Sequence, residues 1–159
     1  MGNPEDERQI ERQLANYCRA MDRCDAELGR SVFFTDATVD YGAMFQGTGH
    51  GFVDFSMTVH PQFDAHLHRI SNTIIEIDGQ AAVSETYVDA QFRMTENGQA
   101  FDVYTRGRYL DRWEKRDGAW AITHRHYVNA MAGKRPIDEI PFGIEGTRDR
   151  TDPSYALFA

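Results

Sequence analysis

The chain has 159 residues, enough for one domain with a single core and too few for two of ordinary size. Its net charge of −8, with Lys and Arg scattered rather than clustered, lacks the electrostatic footprint of a nucleic-acid or anionic-membrane binder. No apolar run approaches the length of a bilayer span, and residues 1–12 are charged without the apolar region of a secretory signal, so the cytosol is the expected location. A 41% hydrophobic fraction is ordinary for a globular protein, while 12% aromatic suits an apolar pocket as well as a core.

From residue 5 onward, Ile10, Leu14, Tyr17 and Met21 recur at three- and four-residue steps between charged residues, predicting an amphipathic helix that runs to about Asp22. A second short helix is expected over 25–33, capped by Asp25, with Leu28, Val32 and Phe33 inward and Thr35 and Asp36 breaking it. Residues 38–41 read as a first strand. The glycine-rich stretch 42–51 reads as a turn or flap leading to a third helix over 52–63, made irregular at its end by Pro61. Four β-rich runs follow at 66–78, 81–94, 100–114 and 119–131. Asp78-Gly79, Asn97-Gly98 and Asp117-Gly118 separate them as tight hairpins, so the strands form an antiparallel meander. Helices first and strands afterwards predict an α+β fold with the helices on one face of a bent sheet. Residues 132–159 hold Pro136, Pro141 and Pro153 and the apolar pieces Ile140-Pro141-Phe142 and Tyr155 to Phe158. They read as a tail that lies over a pocket mouth or against another subunit.

Most chemistry-bearing motifs have a plain structural reading. Cys18 and Cys24 match neither a zinc spacing nor a disulfide framework and read as packed thiols. Gly47-Thr48-Gly49 lacks the Lys-Ser/Thr and the context of a phosphate loop. His66 and His68, with His124 and His126, could face one side of their strands in pairs, but no carboxylate motif completes a metal set, and no metal is expected. Arg106, Arg108 and Arg125 are most simply solvated strand residues, with a lesser chance that one faces inward.

Asp22 at the end of the first helix and His68 early in a strand are the candidate acid/base pair: the carboxylate would set the ring tautomer while the other nitrogen moves a proton. Spacing alone favours a solvated helix end for Asp22, a satisfied strand histidine for His68, and for Tyr17 and Tyr41 core packing as readily as a pocket hydroxyl.

The order helix, short helix, strand, flap, helix and meander, closing in the run from Arg112 to Ile122 with its two tryptophans, resembles the nuclear transport factor 2-like superfamily over about residues 7–131. Within it the chain most resembles the SnoaL-like branch, which includes scytalone dehydratase, bile acid 7α-dehydratase and hexachlorocyclohexane dehydrochlorinase. That resemblance implies a cone-shaped, strongly bent sheet of mixed and antiparallel strands wrapped around N-terminal helices, a cystatin-like α+β barrel.

The resemblance also bears on single positions. Tyr17 and Asp22 resemble the first-helix tyrosine and aspartate of the bile acid dehydratase, and Asp22 the catalytic aspartate of the dehydrochlorinase. Tyr41 sits where both dehydratases place a pocket tyrosine, and His68 where all three place the catalytic histidine. Asn129 stands where the bile acid enzyme has an arginine, so a carboxylate or coenzyme A handle is not implied; scytalone dehydratase resembles this chain in carrying an Asn there, and Asn129 would bind substrate through a hydrogen bond. Met44, Phe52 and Phe55, with Phe45, Met57 and Phe63, would roof the cone.

The resemblance therefore implies a lyase without a cofactor, a dehydratase acting on a mid-sized, largely apolar hydroxylated compound of aromatic, polyketide-like or steroid-like type. Isomerase or epoxide hydrolase chemistry in the same pocket is the enzymatic alternative. A non-catalytic binding subunit, like the small subunits of ring-hydroxylating oxygenases, is the other. Association into a dimer or trimer is expected.

Overall fold

The computed structural model describes residues 3–140, 143 and 146–158. Helix α1 spans Pro4–Arg23; Asn3 caps it by accepting from the Glu5 N–H, and Glu5, Asp6 and Glu7 sit in its first turn, where negative charge suits the helix dipole. Its buried stripe of Ile10, Leu14, Tyr17, Cys18 and Met21 follows the expected period. Helix α2 (Ala26–Ser31) is capped by Asp25, as read from the sequence, but ends two residues early. Phe33 instead opens strand β1 (Phe33–Asp40), because the Ile122 N–H reaches Val32 O and draws the chain into the sheet. Thr35 and Asp36, expected as breakers, lie inside β1, where its pairing with β6 is interrupted between Phe33 and Thr38.

The flap contains a strand that the sequence reading did not contain, β2 (Gln46–Thr48), paired antiparallel with the end of β1. Helix α3 (Gly49–Val59) begins three residues before the expected start, capped by Thr48, and a single 3-10 turn at His60–Gln62 carries Pro61. The meander follows as β3 (Ala65–Asp78), β4 (Ala81–Glu96), β5 (Gln99–Arg116) and β6 (Ala119–Ile137). Asn97 and Gly98, and Asp117 and Gly118, all take positive φ, as their two-residue hairpins demand. β6 continues six residues past the expected strand end at 131 by pairing with the start of β5.

The six strands form one open, mixed sheet in the order β2-β1-β6-β5-β4-β3, with β1 and β6 parallel and the other pairs antiparallel. Helix α1 touches both the edge strand β3 and β6, three strands further in, so the sheet curls around it. Bulges at Asn72, at Arg106/Gly107 and at Arg112/Trp113 sharpen that curl. At the closed end of the cone, Trp113 and Trp120 fill the core, and their indole N–H groups donate to Ser84 Oγ (2.9 Å) and Asp6 Oδ1 (2.8 Å). The C-terminal segment carries α4 (Pro153–Leu157) and folds back on the end of α1. There Tyr155 donates to Asp25 (2.8 Å), Arg23 pairs with Asp152 (3.3 Å), and Arg19 lies against the rings of Tyr155 and Phe158. Pro141, Phe142 and Ala159 of the tail lie outside the described residues.

The core also holds a charge. Arg125, read from the sequence as most simply solvated, is fully buried and makes a two-pronged ion pair with Asp111, Nε to Oδ1 at 2.7 Å and Nη2 to Oδ2 at 2.8 Å. Burial opposes the guanidinium charge, but Asp111 outweighs it and holds the group charged, well above its ordinary pKa. Asp111→Ala would strand that cation in the core. It should lower the urea-unfolding free energy by about 3–5 kcal/mol, the scale for breaking one side of a buried pair, whereas a loss below about 1 kcal/mol would mean that Arg125 escapes to water.

Candidate active site

The last turn of α1 points Asp22 at the start of β3. Its carboxylate accepts from the His68 backbone N–H with both oxygens (2.9 and 3.1 Å), and Oδ1 also accepts from the His68 ring at Nδ1 (2.7 Å). Both side chains are buried. A carboxylate at Nδ1 fixes the proton there and leaves Nε2 as the basic nitrogen, and the negative end of the α1 dipole adds to the stabilisation of any positive charge on the ring.

His68 opens onto a cavity of about 340 Å³ lined by both tyrosines, the aromatic roof and the inner faces of β4, β5 and β6. In the same cavity the Tyr17 and Tyr41 hydroxyls meet at 3.1 Å. Burial pushes both hydroxyls above their ordinary pKa, Tyr41 more strongly, with the nearby Arg125 charge opposing the shift, so both remain protonated near neutrality. When one donates to the other, the second keeps a proton free to donate. The guanidinium carbon of Arg125 lies 4.3 Å from the Tyr17 ring centre and 3.9 Å from that of Tyr109, and its Nη1 is buried without a partner among the described residues. A cation thus sits behind the hydroxyl pair.

Asp22, His68, Tyr17 and Tyr41 come together at this cavity. Phe52 stacks on Tyr41 at 4.0 Å, Phe55 lines the roof beside it, and Met44, largely exposed, sits at the rim. Asn129 is not on the wall; it is exposed and accepts from the Tyr127 hydroxyl at 3.3 Å. His66 and His68 face inward from β3, whereas His124 and His126 lie on β6 and bond Thr38 (2.8 Å) and Asp40 (3.3 Å), so the two pairs do not converge. Among the described residues no cluster of His, Cys, Asp and Glu is arranged to hold a metal ion.

Residues in and behind the cavity wall also escaped the sequence reading. Arg125 and Tyr127 alternate on β6 as Tyr109 and Asp111 do on β5, so the period-two pattern that put Tyr127 inward also put Arg125 there. Tyr127 can lie flat in the wall because its diagonal neighbour on β5 is Gly107: a Cβ there would meet Val128 O at 2.3 Å and the Tyr127 ring at 2.9 Å.

His60 is the other omission. The rings of His60, His66 and His68 cluster with centres 4.8–6.1 Å apart. His66 donates from Nε2 to Met21 O (2.8 Å), a carbonyl at the end of α1 that also accepts from the Cys24 N–H (3.3 Å), and His60 Nδ1 approaches the same oxygen at 3.5 Å. From the C-terminal segment, Arg148 donates to His60 O (3.1 Å), Phe63 O (2.7 Å) and His66 Nδ1 (3.5 Å). Burial, then His68 and His66, push His60 down to about 3, and burial also lowers His66.

A family model described as SnoaL-like domain matches residues 3–126. No curated protein matches the chain significantly. Among solved structures, a putative scytalone dehydratase of Novosphingobium aromaticivorans is 25% identical with a TM-score of 0.73, covering 88% of this chain and 95% of its own. Hexachlorocyclohexane dehydrochlorinase LinA-type3 of Novosphingobium barchaimii is 16% identical with a TM-score of 0.73, covering 89% of this chain and 96% of its own. A nuclear transport factor 2-like superfamily protein of Salmonella enterica serovar Typhimurium is 22% identical with a TM-score of 0.66, covering 86% of this chain and 94% of its own. The latter two likenesses speak to the fold, and among the described residues no helix is long and apolar enough to cross a membrane.

The depressed histidine values set the direction of a pH effect. Between its folded value of about 3 and the ordinary 6.5, His60 is neutral when folded and protonated when unfolded, so stability is complete above that window and falls as pH drops through it. In His60→Leu the loss of unfolding free energy between pH 6 and pH 5 should shrink by about 1 kcal/mol relative to the wild type. Urea titrations at the two pH values check this; parallel profiles would show that His60 charges within the folded protein.

Proposed function

Because the chain belongs to the SnoaL-like domain family and carries a buried Asp–His pair at the wall of an aromatic cavity, we propose that it is a lyase of the dehydratase type. The observation that carries this reading is that one cavity is lined both by His68, whose Nδ1 is held by Asp22, and by the bonded Tyr17–Tyr41 hydroxyls, with Arg125 beside them. His68 takes the proton from the carbon next to a carbonyl. The tyrosine pair donates to the oxygen as it becomes an enolate, and the buried guanidinium favours that charge in a site shielded from water. Electrons of the broken C–H bond become the C=C bond as the C–O bond to the leaving hydroxyl breaks. The imidazolium, steadied by Asp22, returns its proton to the departing oxygen, so that water leaves and no redox change occurs.

A cavity of about 340 Å³ stands at the low end of ligand sites, and its walls are mostly aromatic and aliphatic. That favours a one- or two-ring hydroxylated carbonyl compound, aromatic or polyketide-like, over a larger steroid-like one. Two free thiols suit a reducing cytosol. Leu67, Ile74, Val83 and Tyr87, exposed on the outer faces of β3 and β4, favour association of two or more copies.

Asp22→Asn should keep the fold and lower turnover by about a hundredfold or more, the scale for disabling an acid/base pair. Mass spectrometry of hydroxylated cyclic ketones incubated in heavy water reads the outcome. Loss of one water, abolished in the variant, is expected. Deuterium uptake without mass loss would mean an isomerase, gain of water a hydrolase, and equal rates in both proteins would remove the proposed role of Asp22.

A further inference from the structure

Two polar regions of the cavity differ in character. Around the tyrosines donors prevail: the Tyr17 and Tyr41 hydroxyls stay protonated, one proton of the pair is free to donate, and Arg125 adds positive charge beside them. At the histidine end the free groups are acceptors. His68 has Nδ1 committed to Asp22, and its Nε2 carries a lone pair. His60 lines the same cavity with only 8% of its surface exposed. Its Nδ1 faces Met21 O, which can only accept, so the proton of the neutral ring belongs on Nδ1 and Nε2 is left with a second lone pair.

His60 Nε2 has no bond among the described residues, and it is not among the buried atoms closed off by packing. Two acceptors whose ring centres lie 5.5 Å apart cannot satisfy each other. The adjoining wall offers no donor in exchange: Phe63 and Phe92 are apolar, and the Ser56 hydroxyl is spent on Phe52 O at 2.9 Å. A donor brought by the ligand is the natural complement.

We propose that His60 Nε2 accepts a hydrogen bond from a substrate hydroxyl that the reaction leaves in place, so that the cavity selects a compound with a carbonyl at its tyrosine end and a retained hydroxyl at its histidine end. This rests on the lyase reading for the carbonyl end, while the hydroxyl end stands on His60 alone. His60 is a specificity residue rather than the acid for the departing oxygen: held at about 3, it has no proton at Nε2 to give near neutral pH. Arg148, which binds His60 O and Phe63 O, and the short contact of His66 with Met21 O keep the turn that carries His60 in place.

The test measures binding, so its result is independent of the turnover experiment on Asp22. Isothermal titration of 1-tetralone and its ring-hydroxylated isomers into the wild type should find at least one isomer that binds about tenfold more tightly than 1-tetralone, the upper scale of one neutral hydrogen bond. In His60→Leu that preference should collapse to within about twofold, with 1-tetralone itself still bound, and His60→Gln, which keeps an acceptor, should retain part of it. Should the leucine variant fail to fold, ¹⁵N spectra of the wild type decide: the His60 Nε2 resonance should move upfield with a hydroxylated isomer and stay put with 1-tetralone. A preference that survives in His60→Leu, an unmoved Nε2 resonance, equal binding of all isomers to the wild type, or no binding of any tetralone would each overturn the proposal.

Discussion

The carboxylate of Asp22 joins the two halves of this protein. It is the last buried group of α1, and it receives three contacts from His68, two from the backbone N–H and one from the ring. The backbone contact captures the edge strand, since the N–H of a strand residue is bonded sideways to a helix. This keeps the far edge of a six-stranded sheet against a helix that also packs on β6, and so holds the curl that makes the interior a cone. The ring contact sets the tautomer of His68 within that cone. One side chain therefore closes the fold and orients the basic nitrogen, and geometry at the site inherits the rigidity of the helix-to-sheet joint.

The second constraint is the burial of Arg125. A guanidinium inside a core is tolerable only with a partner of matched shape, and Asp111, its neighbour across the β5–β6 pairing, supplies one through two parallel bonds. The pair is neutral as a whole but not symmetric about the cavity: the cation contacts the faces of Tyr17 and Tyr109. Its Nη1 meets no geometric partner among the described residues, but the guanidinium is near enough to the Tyr17 and Tyr41 hydroxyls to oppose the upward shift that burial imposes on them. Burial, with the neighbouring histidines, in contrast disfavours protonation of His60 and His66.

Much of the architecture was legible in the sequence because it is local. The 3.6-residue stripe of α1, the Asp25 cap and the three Asp-Gly or Asn-Gly turns each act within a few residues, and each stands where it was read. Failures occur where distant segments decide. Phe33 leaves its helix because β6 pairs with it in parallel, and Gln46 to Thr48 become a strand only because β1 is beside them. Within the site, Asp22, His68, Tyr17 and Tyr41 were reached through family resemblance, since spacing alone does not say that a helix end meets a strand 46 residues away. Arg125 was legible in principle from its alternation with Tyr127, but a cation on a half-polar strand reads as solvated until its partner on β5 is known. His60 had no sequence signal beyond Pro61, which ends the helix beside it.

The chain beyond the family match also contributes to the cavity. The match covers residues 3–126, yet Tyr127 lies in the wall and Arg148 stands behind it. The His60 to Phe63 turn joins a helix to an edge strand, held by one internal bond from the Phe63 N–H to His60 O (3.1 Å). Arg148 adds bonds to His60 O, to Phe63 O and to His66, tying the turn to the C-terminal segment. Arg148 is in turn held where it is by the anchoring of its segment on α1, through Tyr155 to Asp25 and Arg23 to Asp152. Asp22 and Asp25 both lie at the end of α1, one gripping the edge strand and the other the C-terminal segment. The helix end is therefore the point from which both the edge strand and the C-terminal segment are positioned, and through Arg148 that segment is coupled to the turn that carries His60 into the cavity wall.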